Sequence, residues 1–122
     1  MLISLNCVEE EKVGEKWQKL FEKSWPYYKK WYLSQGHLAR SGYLSCLEAM
    51  EEHMPEFLPI YNEVCEAAGG GDLTSRFLSL YNPPPFMSGC TQIAWNKHPY
   101  SLIRNYDYNP KWFEGVLMKT NW

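Results

Sequence analysis

The chain has 122 residues, which is enough for one domain, and its 45% hydrophobic and 16% aromatic content excludes a disordered segment. Lys and Arg total 12 against 14 Asp and Glu, so the formal charge is -2 and the basic excess of a nucleic-acid-binding protein is lacking. No apolar run approaches the ~18 residues of a membrane-spanning helix. Irregularly spaced cysteines and the lack of a signal-peptide pattern predict a reduced, cytoplasmic protein.

The first 80 residues have the apolar spacing of an all-α segment, and the first predicted helix begins near Val13. Pro26 interrupts its apolar stripe, which predicts a kink or a junction between two helices, and Gly36 predicts its end. The aromatic residues of this helix are expected to form core or to pack against a partner domain: Trp17, Trp25, Tyr27, Tyr28, Trp31 and Tyr32.

Three shorter helices are predicted before residue 81. Ser41 is expected to cap the first of them, Pro55 stands at the first turn of the second, and Asp72 is expected to cap the third. The glycines at residues 69–71 predict the end of the second helix. Six glutamates and no Lys or Arg lie between residues 48 and 66, which predicts a solvent-exposed acidic face.

A proline-rich stretch at residues 82–85 separates the helical part from a part with the period of β-strands. Strands are predicted at residues 90–95, 100–105 and 115–120, and the first two form a hairpin that turns near residues 96–99. Three strands that stop near Trp122 would leave an open sheet edge, so the chain is expected to be a fragment of a longer protein.

Most of the cysteines and all of the histidines are predicted to have no chemical role. Cys46 and Cys65 lie on apolar helix stripes and are predicted to be core residues, while Cys7 near the terminus is incidental. The histidines do not lie at metal-ligand spacing from one another or from a cysteine: His37, His53 and His98. No metal site and no cofactor are therefore predicted.

The chemistry that the sequence suggests lies around Gly89-Cys90-Thr91 and Arg104-Asn105-Tyr106-Asp107. In a hairpin, Arg104 and Asp107 return close to Cys90, and a guanidinium beside a thiol favours the nucleophilic thiolate. Two alternatives stay open on the residues alone. Cys90 can be an ordinary buried strand cysteine, and Arg104 with Asp107 can be a structural ion pair.

No histidine base is predicted for Cys90, because His98 lies in the turn of the hairpin. An α-amino group, with an unperturbed pKa of about 7.7–8, suits neutral pH better than a lysine at about 10.4. Such a group arises at Cys90 only if the bond to Gly89 is cut. Gly89 favours this step, because it allows a strained backbone and leaves its carbonyl open to the Cys90 thiol.

Residues 57–107, roughly half of the chain, resemble the N-terminal nucleophile hydrolases of the linear amide C–N hydrolase group. This group includes the penicillin acyltransferase-like peptidases and, more distantly, the bile salt hydrolases and acid ceramidase. The likeness is carried by the helix at residues 57–69, the helix start at Asp72-Leu73, and the two motifs around Cys90 and Arg104. The resemblance implies an α+β fold. Residues 1–89 would form a helical prosegment, and residues 90–122 would begin an αββα sandwich with its first antiparallel strands, incomplete in this chain.

The resemblance also implies a role for each residue of the motifs. Cys90 would be the nucleophile, and the bond between Gly89 and Cys90 would be the processing site. Arg104 would support the thiolate and the substrate, Asp107 would contact the freed amino group, and Asn105 would have a structural role. Members of this group continue well beyond this point and supply the oxyanion-hole donors there, so residues 1–122 alone are expected to be inactive.

The function implied is an autoproteolytic hydrolase or acyltransferase that acts on linear amide C–N bonds through a thioester at Cys90. Its partners would be a small amide or acyl substrate and the remainder of its own catalytic domain, with a homo-oligomer left open. Hydrolysis and acyl transfer share the thioester and are not distinguished. The alternative is a non-catalytic helical interaction module, or an inactive truncated fragment.

Overall fold

The computed structural model of the chain describes residues 4–85, 90–106 and 115–122, and for residues 90, 91 and 104–106 it describes the backbone alone. Within these ranges it contains four α-helices and four β-strands, so the predicted mixture of helix and strand is confirmed. None of the described helices is both long and apolar enough to cross a membrane.

The described residues divide into two compact units. The larger, called the helical unit below, comprises residues 8–84 and 118–122 and contains all four helices. The other comprises the described residues of 1–7 and 85–117, and it contains the strand pair that begins at Cys90.

Helix α1 runs from Glu15 to Tyr32 as one continuous helix, so the junction expected at Pro26 is not present. A carboxylate from the preceding strand caps its N-terminus. Glu10 accepts hydrogen bonds from the backbone N–H groups of Lys16 and Trp17, each at 2.9 Å. Desolvation raises the pKa of Glu10, but these hydrogen bonds help to lower it, and the net result is a pKa below its usual value.

Gly14, which precedes α1, leaves room for this capping carboxylate. A Cβ at Gly14 would lie 2.8 Å from Glu10 Oε1, closer than two such atoms can approach. The absence of a side chain at Gly14 thus lets the carboxylate satisfy N–H groups that have no partner within the helix.

The remaining helices follow the predicted order with shifted ends. Helix α2 spans Tyr43–His53, α3 spans Leu58–Ala67 after a 3-10 turn at Pro55–Phe57, and α4 spans Asp72–Leu78. The caps predicted at Ser41 and Asp72 are wrong, because Gly42 and Gly71 occupy the capping positions and neither offers a side chain.

The glycines at residues 69–71 end α3 as predicted. Their φ angles are 83°, 68° and 99°, in the left-handed region that glycine enters without a Cβ penalty. The predicted acidic face is also confirmed, because every glutamate in it is solvent-exposed: Glu48, Glu51, Glu52, Glu56, Glu63 and Glu66.

Strand β1, at Asn6–Glu10, corrects the expectation that the first 80 residues are wholly helical. It pairs with the last strand, β4, at Val116–Thr120. The Asn6 N–H donates to the Gly115 carbonyl at 2.7 Å, and Lys119 Nζ lies 2.5 Å from Glu9 Oε1. The third predicted strand is therefore confirmed, but it joins β1 and does not extend the hairpin.

The core of the helical unit is aromatic. Phe77 of α4 lies against four rings of α1, with ring centroids 5.1–6.4 Å apart: Phe21, Trp25, Tyr28 and Tyr32. Trp17 stacks on Phe21 at 5.2 Å, and Trp31 packs against the same cluster. The predicted core role of the α1 aromatics is confirmed for all of them except Tyr27, which is 78% exposed.

We expect Phe77→Ala to lower the free energy of unfolding by about 3–5 kcal/mol, because it removes the ring that the α1 aromatics surround. Phe57→Ala is the matched control. Its ring is 51% exposed against 9% for Phe77, and its loss is expected to cost less than about 1 kcal/mol. Urea unfolding followed by tryptophan fluorescence measures both, and equal losses would contradict this account of the core.

Candidate functional site

The predicted nucleophile is the first residue of a two-stranded hairpin. Strand β2 runs from Cys90 to Trp95 and strand β3 from Ser101 to Tyr106, antiparallel to each other as predicted. The register pairs Cys90 with Tyr106 and Gln92 with Arg104. Cys90 therefore stands at the open end of the hairpin. Arg104 lies on the partner strand, two residues before Tyr106, the residue opposite Cys90.

The register sorts the predicted site residues into two sets. Positions two apart on a strand belong to the same face of a sheet, so Cys90 and Arg104 share a face by register. Asn105 pairs with Thr91 and belongs to the opposite face. Two predicted site residues, Gly89 and Asp107, lie outside the described residues.

The middle of the hairpin carries apolar side chains that are exposed in the described part of the chain. Ile93 and Ile103 are directly opposite each other and share a face with Trp95. Each of these three side chains is more than half exposed, as is Leu102 on the other face. A two-stranded hairpin is marginal by itself, so this one requires apolar contacts beyond its own.

A buried arginine anchors the chain where it leaves the helical unit toward Cys90. Arg40 is 8% exposed, and its Nη1 donates to the carbonyl of Asn82 at 3.0 Å. Its Nη2 donates to Gln35 Oε1, and its guanidinium carbon lies 5.7 Å from the Tyr32 ring centroid. Arg40 thus fixes the first residue of the proline-rich stretch at residues 82–85.

A second arginine fixes the backbone around the first. Arg76 donates from Nε to the Ser41 carbonyl at 2.7 Å and from Nη2 to the Arg40 carbonyl at 3.2 Å. Its Nη1 pairs with Asp72 at 3.1 Å. Because most acceptors of these guanidinium groups are backbone carbonyls, the fork geometry of arginine suits this network and lysine does not.

Sequence reasoning missed both arginines, although the sequence holds a signal for them. Arg40 and Arg76 are the only Lys or Arg residues between Lys30 and Lys97. An isolated arginine in a long segment without lysine differs from the interleaved charges of a solvated helix face. What the pattern does not give is which carbonyls each arginine contacts.

The remaining cysteines lie in different environments. Cys46 is fully buried and Cys65 half-buried, so the predicted core role is confirmed for Cys46 and only in part for Cys65. Cys7 is exposed. Among the described residues, no group of three His, Cys, Asp or Glu side chains is arranged to hold a metal ion.

Two buried tyrosines on the helices have raised pKa values. Burial raises the pKa of Tyr61, and the neighbouring Cys65 adds to the effect. The Tyr61 hydroxyl donates to the Ser75 carbonyl at 2.9 Å. Burial also raises the pKa of Tyr32. Both side chains have a structural role. The Tyr61 hydroxyl joins α3 to α4, and the Tyr32 ring joins α1 to α4 by packing against Phe77.

Comparisons with known proteins add no relative to this picture. No protein-family profile matches the sequence, no curated protein matches it, and no solved structure matches it.

Tyr61→Phe tests the structural role of the buried hydroxyl. The folded-state pKa lies above the unfolded value of about 10, so the contribution of Tyr61 is complete below that pH and is lost as the pH rises further. We expect the variant to be about 0.5–1.5 kcal/mol less stable at neutral pH, because the Ser75 carbonyl loses its donor.

Above about pH 10 the gap between Tyr61→Phe and the wild type should narrow. Urea unfolding at several pH values between neutral and alkaline measures it. Tyr100→Phe is the control, because that side chain is 76% exposed. Parallel pH curves for wild type and Tyr61→Phe would contradict the assignment.

Proposed function

We propose that Cys90 is the nucleophile of an autoproteolytic hydrolase or acyltransferase that acts on linear amide C–N bonds. The observation that carries the proposal is the position of Cys90 as the first residue of β2, in register beside the Gln92–Arg104 pair. By register, a cysteine at a strand start and an arginine on the neighbouring strand are assigned to the same face of the hairpin. A cation near a cysteine favours the thiolate, which is the nucleophilic form.

The first step of the proposal is cleavage of the bond between Gly89 and Cys90. The Cys90 sulfur attacks the Gly89 carbonyl carbon, a C–S bond forms, and the C–N bond breaks with transfer of the thiol proton to the departing nitrogen. The product is a thioester with a free α-amino group on Cys90. Water then hydrolyses the thioester, which leaves a carboxylate on Gly89 and restores the thiol.

The second step uses the new amino group as the base. Its unperturbed pKa of about 7.7–8 allows it to accept the thiol proton near neutral pH and to return it to the leaving amine. The thiolate attacks the substrate carbonyl, the amine departs, and a thioester forms on Cys90. Water or an acceptor amine then releases the acyl group. Arg104 would stabilise the thiolate, and Asp107 would hold the amino group.

The exposed apolar faces of the hairpin support the architectural part of the proposal. In an αββα sandwich, further strands and a second sheet would cover Ile93, Trp95 and Leu102, which are more than half exposed in the described residues. The helical segment at residues 1–89 would then be the prosegment, and the rest of the catalytic domain would be the principal partner of this chain.

A non-catalytic interaction module is the second candidate. It is favoured by exposed apolar side chains on the helical unit, among them Leu38, which is fully exposed, and Leu44, which is 69% exposed. Surfaces of this kind occur at protein-binding sites. A stable, uncleaved chain with an unreactive Cys90 would identify this function.

Cys90→Ala in the product of the complete reading frame should abolish cleavage, because no other group can form the thioester with Gly89. The wild type should yield an 89-residue fragment and a chain that begins at Cys90. Denatured intact mass measures both species. Cys65→Ala is the control and should cleave as the wild type does; normal cleavage of Cys90→Ala would refute the mechanism.

Arg104→Gln should weaken the activated thiol. An opposite charge nearby lowers a pKa by about 1–3 units, so its loss should reduce the thiolate fraction at neutral pH about tenfold or more. The acidic limb of the pH–rate profile for amide cleavage should move to higher pH, and Arg104→Lys should restore part of it. Lys97→Gln in the hairpin turn makes the same charge change and should leave the profile in place, whereas an unmoved profile in Arg104→Gln excludes the role.

A further inference from the structure

Helix α1 carries a stripe of lysines on its exposed face. With 3.6 residues per turn, Lys16, Lys19, Lys23 and Lys30 fall within an arc of about 60° along roughly 21 Å of helix. All four are exposed, and the exposed ring of Tyr27 adjoins the same arc. We call these five residues the lysine stripe. The acidic residues of α1, Glu15 and Glu22, fall outside its arc.

Helix α2 carries a stripe of the opposite sign. Glu48, Glu51 and Glu52 fall within an arc of about 100°, and Leu44 lies inside the same arc. All four residues are exposed. We call them the acidic stripe. None of the three carboxylates forms an ion pair with a described residue.

Both stripes place like charges three and four residues apart. Lys16 and Lys19 are three apart, Lys19 and Lys23 are four apart, and Glu48 has glutamates at both distances. Like charges at these spacings destabilise a helix. Local relief is small, because Lys16 Nζ donates to the Glu9 carbonyl and attracts the partly exposed Glu10 carboxylate, and the Lys19–Glu15 pair at 3.6 Å is largely exposed. Contact between stripes of opposite sign would offset the repulsion in both.

We infer that the lysine stripe of one copy of this chain docks on the acidic stripe of a second copy. The signs are complementary, and each stripe contains charges one helical turn apart, although Lys23 and Lys30 are two turns apart. Each stripe also has one exposed apolar group, Tyr27 on the lysine stripe and Leu44 on the acidic stripe. A polyanion would be attracted to the lysines but repelled by the glutamates of a chain whose formal charge is -2.

The association expected is weak and salt-sensitive. Exposed ion pairs contribute little each, and they are screened at distances beyond about 8 Å at 0.15 M salt. Sedimentation velocity of the 122-residue chain up to about 1 mM should show self-association at about 10 mM salt. The dissociation constant should rise about tenfold or more at 0.15 M salt.

Charge-swap variants test which surfaces meet. The first is Lys19→Glu with Lys23→Glu and Lys30→Glu, and the second is Glu48→Lys with Glu51→Lys and Glu52→Lys. Each variant carries two surfaces of one sign, so each should be monomeric alone. An equimolar mixture of the two should associate, because each then offers the surface that the other lacks.

A matched control separates the stripe from net charge. The variant with Lys12→Glu, Lys29→Glu and Lys97→Glu lowers the net charge by six, as the first charge-swap variant does, but at positions outside the stripe. This control should still self-associate as the wild type does. Circular dichroism shows that each variant is folded. A wild type that stays monomeric in low salt, or a swap mixture that does not associate, overturns the inference. So does a monomeric wild type that binds phosphatidylserine vesicles through the lysine stripe.

Discussion

The contact between Phe77 and the aromatic face of α1 is the interaction on which the helical unit depends. Helix α4 has seven residues, which is too short to be stable alone, and Phe77 holds it against four rings of α1. Helix α4 also supplies the Ser75 carbonyl that accepts from Tyr61 of α3. One buried ring therefore fixes the longest helix, the shortest helix and, through the backbone of α4, a third.

The hydrogen bonds of two arginines connect α4 to Asn82, near the point where the chain leaves the helical unit. Arg76, one residue before Phe77, holds the carbonyls of Arg40 and Ser41, and Arg40 in turn holds the carbonyl of Asn82. Burying a guanidinium costs desolvation, and hydrogen bonds to carbonyls offset it. The position of Asn82 thus depends on α4 through Arg40, although Arg40 lies 42 positions before Asn82 in the sequence.

The helices and strands with local signals could be predicted, and the elements that depend on distant partners could not. Apolar spacing located α1, but Pro26 was expected to kink it or to separate it into two helices. The helix continues because aromatic residues on both sides of Pro26 pack on Phe77, and this burial outweighs the cost of about 3 kcal/mol for an internal proline. Strand β1 is polar and short, and its partner β4 lies more than 100 residues away, so no local pattern indicated it.

The candidate site likewise has a part that local sequence signals predict and a part that depends on distant partners. The turn near residues 96–99 was enough to predict that β3 returns antiparallel to β2, because the register of a hairpin follows from its turn, and this register pairs Arg104 with Gln92. A nucleophile also needs a rigid surrounding, and a two-stranded hairpin loses backbone entropy without burying enough apolar surface to compensate. Ile93, Ile103 and Leu102 are the groups through which further structure could supply that burial. The chemistry proposed for Cys90 therefore depends on a cover over this hairpin, for the same reason that Phe77 must be surrounded in the helical unit.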